Sequence, residues 1–315
     1  MNDSSVVTHV RSFYDRDLLT RAFPHLCHAL YGQVRDIPQN AGEAIIFRRY
    51  EKLATATTAL TEGVTPAGST VDPTDITATV LQFGDFLPLT DWVELTVEDP
   101  VIMEFNKLLG EQAGESIDEI VRDVLVTGST VQYASSATSR VTVTSAMTLD
   151  VDEVKEAVLT LQLANARKIM EMVTAGPNID TTPIAPCYVG ILHPRVHRYL
   201  KADADFVRVE NYAQQGDRMP GEVGQMDEVR FVMTTNAKVF TAGGSGGIDV
   251  YATLILGRDA YGMTRISGAA LQTITKPIGS DGASDPLNQR GSHGWKATMI
   301  TKILNDNFMV RIEHA

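Results

Sequence analysis

The sequence predicts an α+β fold, on three observations. Two stretches, 99–127 and 151–175, place apolar residues at helical spacing. Several shorter stretches alternate or run apolar between glycines, prolines and asparagines, as strands do. No sustained strand–helix–strand alternation joins them, so a doubly wound parallel sheet is not expected.

In chain order, residues 1–42 read as an arm. Asp15 to Phe23 suits a short helix stopped by Pro24, and Arg35 to Gly42 is loop chemistry, with Pro38, Asn40 and Gly42 as breakers. Ala44 to Leu53 is a strand with Ile45, Phe47 and Arg49 on one side and Ile46, Arg48 and Tyr50 on the other. Ile76 to Leu81 is its partner. The connection, Thr55 to Thr74, is rich in Thr, Gly, Pro and Ala; a loop of that length is functional or ordered by a partner. The pair carries too few large apolar residues to stand alone and needs another surface to lie on.

Asp99 is a good N-cap and Pro100 a good first helical residue. Val101, Phe105, Leu108 and Leu109 share a face that Ile117, Ile120, Val121, Val124 and Leu125 continue, and Gly128 ends the helix. At about 1.5 Å per residue it would be about 40 Å long. Gly110 and Gly114 mark a bend or a close contact within it. Asp150 with Glu153 is a capping-box variant opening the second helix, which Gly176-Pro177 stops. Cys187 to Leu192 reads as a buried strand, His193-Pro194 as the entry to a helix through Leu200, and Val229 to Thr234 and Val250 to Leu256 as strands. Asp259 to Gly262 reads as a loop or helix start. Trp295 to Leu304 and Phe308 to Glu313, joined by Asn305-Asp306-Asn307, read as a closing hairpin.

The 315 residues suffice for one large domain or two smaller ones, and the 43% hydrophobic content can bury a core. No apolar run approaches the ~20 residues of a membrane helix, and Met1 to Ser5 carries no signal-peptide pattern, so no membrane partner and a cytoplasmic origin are expected. The net charge of -12 and scattered Lys and Arg argue against a grip on nucleic acid.

The chemical motifs are weak. Gly243-Gly244-Ser245-Gly246-Gly247 matches the Gly-x-Ser-x-Gly pattern, but the residues after it read as a strand where a nucleophile elbow needs a helix. His193 and His197 have i, i+4 spacing without the glutamate of a zinc protease. His25, Cys27 and His28 lack a fourth ligand, and Cys27 and Cys187 read as buried small residues. Nucleotide loops are absent. No catalytic residue, cofactor or metal is expected.

Five stretches carry a resemblance: Ile46-Phe47-Arg48-Arg49-Tyr50, Leu60 to Pro66, Leu109 to Glu115, Asp285 to Gly291, and Gly294-Trp295-Lys296. In their joint order they resemble the N-four-type major capsid proteins of tailed bacteriophages. The resemblance implies the Hong Kong 97-like capsid fold: an N-terminal arm (1–42), an extended loop (43–95), a peripheral domain with a long spine helix (96–135), an axial domain (136–284), and a return to the peripheral domain through the terminal hairpin (285–315). The implied function is assembly into hexamers and pentamers of an icosahedral head that encloses double-stranded DNA without sequence-specific binding, in the virion, after assembly in the host cytoplasm. Portal, scaffolding and decoration proteins are the implied partners. Arg48, Arg49, Tyr50 and Glu62 are the candidate inter-subunit contacts. Lys52 lies where some relatives crosslink, but no partner asparagine or activating carboxylate accompanies it. The alternatives are an encapsulin-type nanocompartment shell and a hydrolase using Ser245.

Overall fold

The computed structural model describes residues 18, 20–22, 26–51, 53–60, 62–65, 68–96, 101–169, 186–211, 219–280 and 285–315. Asp99, Pro100, Lys52, His25 and most of the expected Asp15–Phe23 helix lie outside them.

Three sheets organise the described residues. The smallest is β2 (Ala44–Tyr50) paired antiparallel with β3 (Pro73–Thr79), in register from Ala44 opposite Thr79 to Tyr50 opposite Pro73. The five-stranded sheet is built on β14 (Arg290–Ile303). Along one edge lies β4 (Leu81–Thr90) in ten-residue antiparallel register; β12 (Tyr261–Ile266) and β13 (Leu271–Lys276) also pair with β14, and β1 (Gln33–Ile37) adds parallel to β12. Between β12 and β13, Thr298 Oγ1 donates to the Ala269 carbonyl at 2.6 Å.

The eight-stranded sheet has the order β5 (Val131–Tyr133), β15 (Met309–His314), β11 (Val250–Leu256), β6 (Tyr188–Leu192), β9 (Val229–Met233), β8 (Glu222–Met226), β7 (Val207–Arg208), with β10 (Val239–Phe240) also on β11. Strands β6, β11 and β15 are buried along their whole length, as strands covered on both faces must be. One face packs on α3 (Val151–Leu163) and α4 (Pro194–Leu200), through Val154, Val158, Leu161, Val196 and Leu200. The other face supplies Val189, Ile191, Leu254 and Leu256 to a second core. That core includes Leu109, Ala113, Ile117, Val121 and Leu125 of α2 (Val101–Leu125) and Trp295, Ala297 and Met299 of β14. The long helix thus lies between the two large sheets. The short helix α1 (Asp91–Thr96) follows β4, its first N–H donating to the Gln289 carbonyl at 3.2 Å.

Several sequence expectations differ in extent. The helix face runs at strict i, i+4 spacing from Leu109 to Leu125, and Leu108 is exposed. The second helix stops at Leu163, not near 175: Asn165 adopts φ 56°, and the Asn165 and Ala166 N–H groups turn back to Gln162 and Leu161 at 2.9 Å each. Asp259 is a left-handed turn residue and Tyr261 opens β12, so this stretch is the start of a strand. Residues 81–90 pair with β14 and do not extend the β2–β3 pair.

The closing hairpin is also corrected. β14 and β15 belong to different sheets. The turn between them is a corner pinned at one point, with the Leu304 and Asn305 N–H groups both donating to the Ala260 carbonyl at 2.8 and 3.0 Å. A hairpin strand with one face in water is half exposed, whereas all six residues of β15 are buried between β5 and β11.

Candidate functional site

The pair β2–β3 projects a loop, 51–72, that carries no strand or helix among its described residues. The strand alternation divides the candidate residues as expected. Phe47 is 3% exposed and packs with Ala78 and Leu304, flanked by Ile45, Ile76 and Ile300. Arg49, on the same side, donates through Nη1 to the Leu304 carbonyl at 3.1 Å and through Nη2 to Glu51 at 3.1 Å. Three buried side chains and one arginine therefore seat the arm on the body.

Its outer side is open. Arg48 lies directly opposite Asp75 and grips it with Nε and Nη2 at 2.7 and 2.9 Å. The Asp75 hydrogen bond, then Tyr50, raises the arginine further above its usual range, and the same bond holds the Asp75 carboxyl below its own. Tyr50 is 63% exposed. Glu62 is exposed beside Gly63, at φ 78°, and makes no ion pair among the described residues. Arg48 is thus already matched within the chain, Arg49 anchors the arm root, and Tyr50 and Glu62 face solvent. Ile46, Leu53, Leu60, Val64 and Val71 are also exposed, Leu60 to 77%. So many bare apolar side chains on one thin arm mark a surface for a partner.

A second apolar surface went unread in the sequence. On the open side of the β4–β14–β13 ribbon, Gly294 lies between Phe86 and Ile274 in register, and Phe86 is exposed. The groove there measures about 700 Å3. Pairing at its rim is blunted: the Phe86 N–H donates to its neighbour Asp85 at 2.8 Å, and Pro88 has none. The signal was the small–large alternation Phe83-Gly84-Asp85-Phe86, legible only once the register was known.

The chemical motifs form no active centre among the described residues. Ser245 is exposed in a single turn with Gly246 and Gly247 at φ 72° and 76°, and its N–H donates to the Val143 carbonyl at 2.8 Å. The next regular element is strand β11. His193 caps α4 by accepting from the Arg195 N–H at 3.2 Å, and its ring stands 5.2 Å from that of Tyr251. The His197 ring stands edge-on to Phe206 at 5.9 Å. Burial first, then neighbouring cations, lowers the pKa of both histidines. Cys27 and Cys187 are free and buried, and burial raises their thiols to about 12 and about 11, far from thiolate. No cluster of three metal-ligating side chains occurs among the described residues.

Comparison with known proteins gives a consistent picture. The family model described as phage capsid protein matches residues 73–312. A search of curated proteins finds no match. Among solved structures, the capsid of Ralstonia phage GP4 superposes with a TM-score of 0.68 at 13% identity, covering 89% of this chain and 86% of that one. The capsid asymmetric unit of cyanophage Pam1 gives 0.66 at 15% identity, covering 94% and 92%. The capsid of cyanophage P-SCSP1u gives 0.63 at 12% identity, covering 92% and 88%.

Proposed function

This chain belongs to the phage capsid protein family, and from that premise we propose how it builds a shell. It is a major capsid protein of a phage head, a structural protein with the Hong Kong 97-like fold, whose copies associate into the capsid of a virion.

In the proposal, residues 1–42 are the N-terminal arm, 43–95 the extended loop, 96–135 the peripheral domain with α2 as spine, 136–284 the axial domain, and 285–315 the return to the peripheral domain. Copies form hexamers and pentamers by heterologous contacts that close into rings. The narrower N-four-type reading rests on the five sequence stretches quoted above. The carrying observation is the arm: three buried side chains seat it, while Tyr50, Leu60, Val64 and their neighbours stand in water. A neighbouring copy is the surface that covers them, with Tyr50 and Glu62 in the contact and Arg48 and Arg49 shaping it.

Electron microscopy of purified protein tests the proposal. Closed shells are expected, and replacing residues 53–72 by a short turn should leave a folded subunit that forms none. Shells of normal yield from that deletion would overturn the role of the arm.

The charge of -12 suits a container wall that lets packaged DNA slide, since a wall gripping phosphate would release counterions and hold it. Duplex binding by purified subunits with a steep salt dependence would overturn this. Portal, scaffolding and decoration partners, and assembly in the host cytoplasm, complete the proposal; co-purification from infected cells tests them.

A further inference from the structure

Where the arm joins the body it overhangs a cavity of about 1010 Å3. Four arginines line it: Arg35 on β1, Arg48 and Arg49 on β2, and Arg167 beyond the end of α3. Asn165, Asn305 and Asn307 make other walls polar.

The four arginines are not equivalent: Arg48 is already on Asp75. Arg49 is engaged by the Leu304 carbonyl and by Glu51. Arg35 lies 5.2 Å from the centre of the Phe47 ring and Arg167 is exposed; neither has a carboxylate partner among the described residues. Six other arginines hold a carboxylate, Arg48 of this cavity among them with Arg122, Arg140, Arg230, Arg265 and Arg311, while Arg195 and Arg198 meet the Tyr251 and Tyr199 hydroxyls. The cavity's own carboxylates are Glu51, already on Arg49, and Asp259, which makes no ion pair among the described residues. The chain has 39 acidic against 27 basic residues, yet this cavity presents two guanidiniums that hold no carboxylate among the described residues.

We propose that this cavity is a socket for a carboxylate-bearing segment of a second copy of this chain, and that filling it fixes the arm against the body. A guanidinium is a planar, permanently charged fork that matches a carboxylate in two-point contact. Copies with a charge of -12 repel one another at long range, so a cationic socket orients their approach. Its walls come from β1, the arm root, the end of α3 and the 304–308 corner, so one occupant touches arm and body together. The inference rests on the shell reading above.

The test uses full-length Arg35→Lys and Arg167→Lys variants, which keep the charge and supply a reactive amine. Shells are assembled from equal parts of isotopically heavy and light copies and treated with a carbodiimide, which joins an amine to a carboxylate it touches. Heavy–light crosslinks at position 35 or 167 are expected. Shells that carry links only within one copy, or none at these positions, overturn the socket. Lysine variants that stay folded but form no shells support it, because only the fork has been lost. As a second measure, the Arg35→Glu, Arg167→Glu double variant should lower shell yield at least ten-fold with its melting temperature unchanged, and normal yield overturns the proposal. Failure of the unaltered chain to form shells would instead overturn the shell reading.

Discussion

The Asp118 carboxylate and His28 are joined twice. One oxygen accepts the His28 backbone N–H at 2.6 Å, and the other meets the His28 ring Nδ1 at 2.7 Å. The first oxygen also takes the Cys27 N–H at 2.7 Å, and Asp118 is wholly buried on the long helix. Beside it, the Tyr261 hydroxyl donates to the His28 carbonyl and accepts the Tyr31 N–H. Residues 27–31 are thereby bolted to α2 and β12.

Replacing Asp118 by Ala leaves two buried N–H groups without an acceptor. We expect a loss of about 3–5 kcal/mol in denaturant unfolding, with amide exchange rising first at residues 26–31. Unchanged protection there would show that the carboxylate does not hold the segment.

Gly114 shows a related effect with the sign reversed from habit. Gly→Ala within a helix ordinarily stabilises by about 1 kcal/mol. Here an added Cβ would stand 2.4 Å from the Ala22 carbonyl oxygen and 3.0 Å from its Cα, which are backbone atoms. Gly114→Ala should therefore destabilise by about 1–3 kcal/mol, read as a lowered melting temperature; a raised one would place Ala22 elsewhere.

Glu313 is the shared carboxylate of two arginines. Arg140 reaches it with Nε and Nη2 at 2.8 and 2.6 Å, and Arg311 with Nε at 2.9 Å. Arg311 also donates to the Val126 and Gly128 carbonyls at the end of α2, where a cation is favoured. Glu313→Gln should cost about 3–5 kcal/mol, because both cations lose their counter-charge. A chemical unfolding curve identical to that of the parent would argue against it.

Acid should weaken the fold through His314. It is fully buried, with Nε2 2.9 Å from Thr253 Oγ1, and burial pushes its pKa down to about 4. A histidine depressed in the folded state contributes stability that is complete above its unfolded value near 6.5 and is lost as pH falls toward 4. The loss is on the order of 3 kcal/mol. Burial lowers His293 in the same direction. Melting temperatures from pH 7 to pH 4 should fall, and fall less steeply for His314→Gln; equal slopes would exclude His314 as a cause.

Much of this fold was legible where one local signal decided the outcome. The helical spacing of Leu109, Ile117, Val121 and Leu125 gave the long helix, and Val250–Leu256 was readable as a strand at its true limits. Arm alternation put Phe47 and Tyr50 on opposite sides, and burial shows Phe47 to be the inward one. Errors arose where distant residues decide. Whether Met309–His314 turns back on β14 or crosses to another sheet depends on Ala260, which holds the corner. The end of α3 depends on Asn165 taking a left-handed conformation, which Gly176-Pro177 overshadowed. Of the candidate contacts, Tyr50 could be placed on the side away from Phe47, but pairing of Arg48 with Asp75 needed the strand register. The arginine cavity joins residues 35, 48, 49 and 167, a juxtaposition no linear reading supplies.

Because β14 and β15 enter different sheets, each large sheet receives an inner strand only when residues 290–314 emerge from the ribosome. Until then β4 has no partner from β14, and β11 lacks β15 along one side. Both large sheets are therefore completed by one stretch of 25 residues, and a stop before it leaves the two unfinished together, a long-range dependence that no local signal relieves.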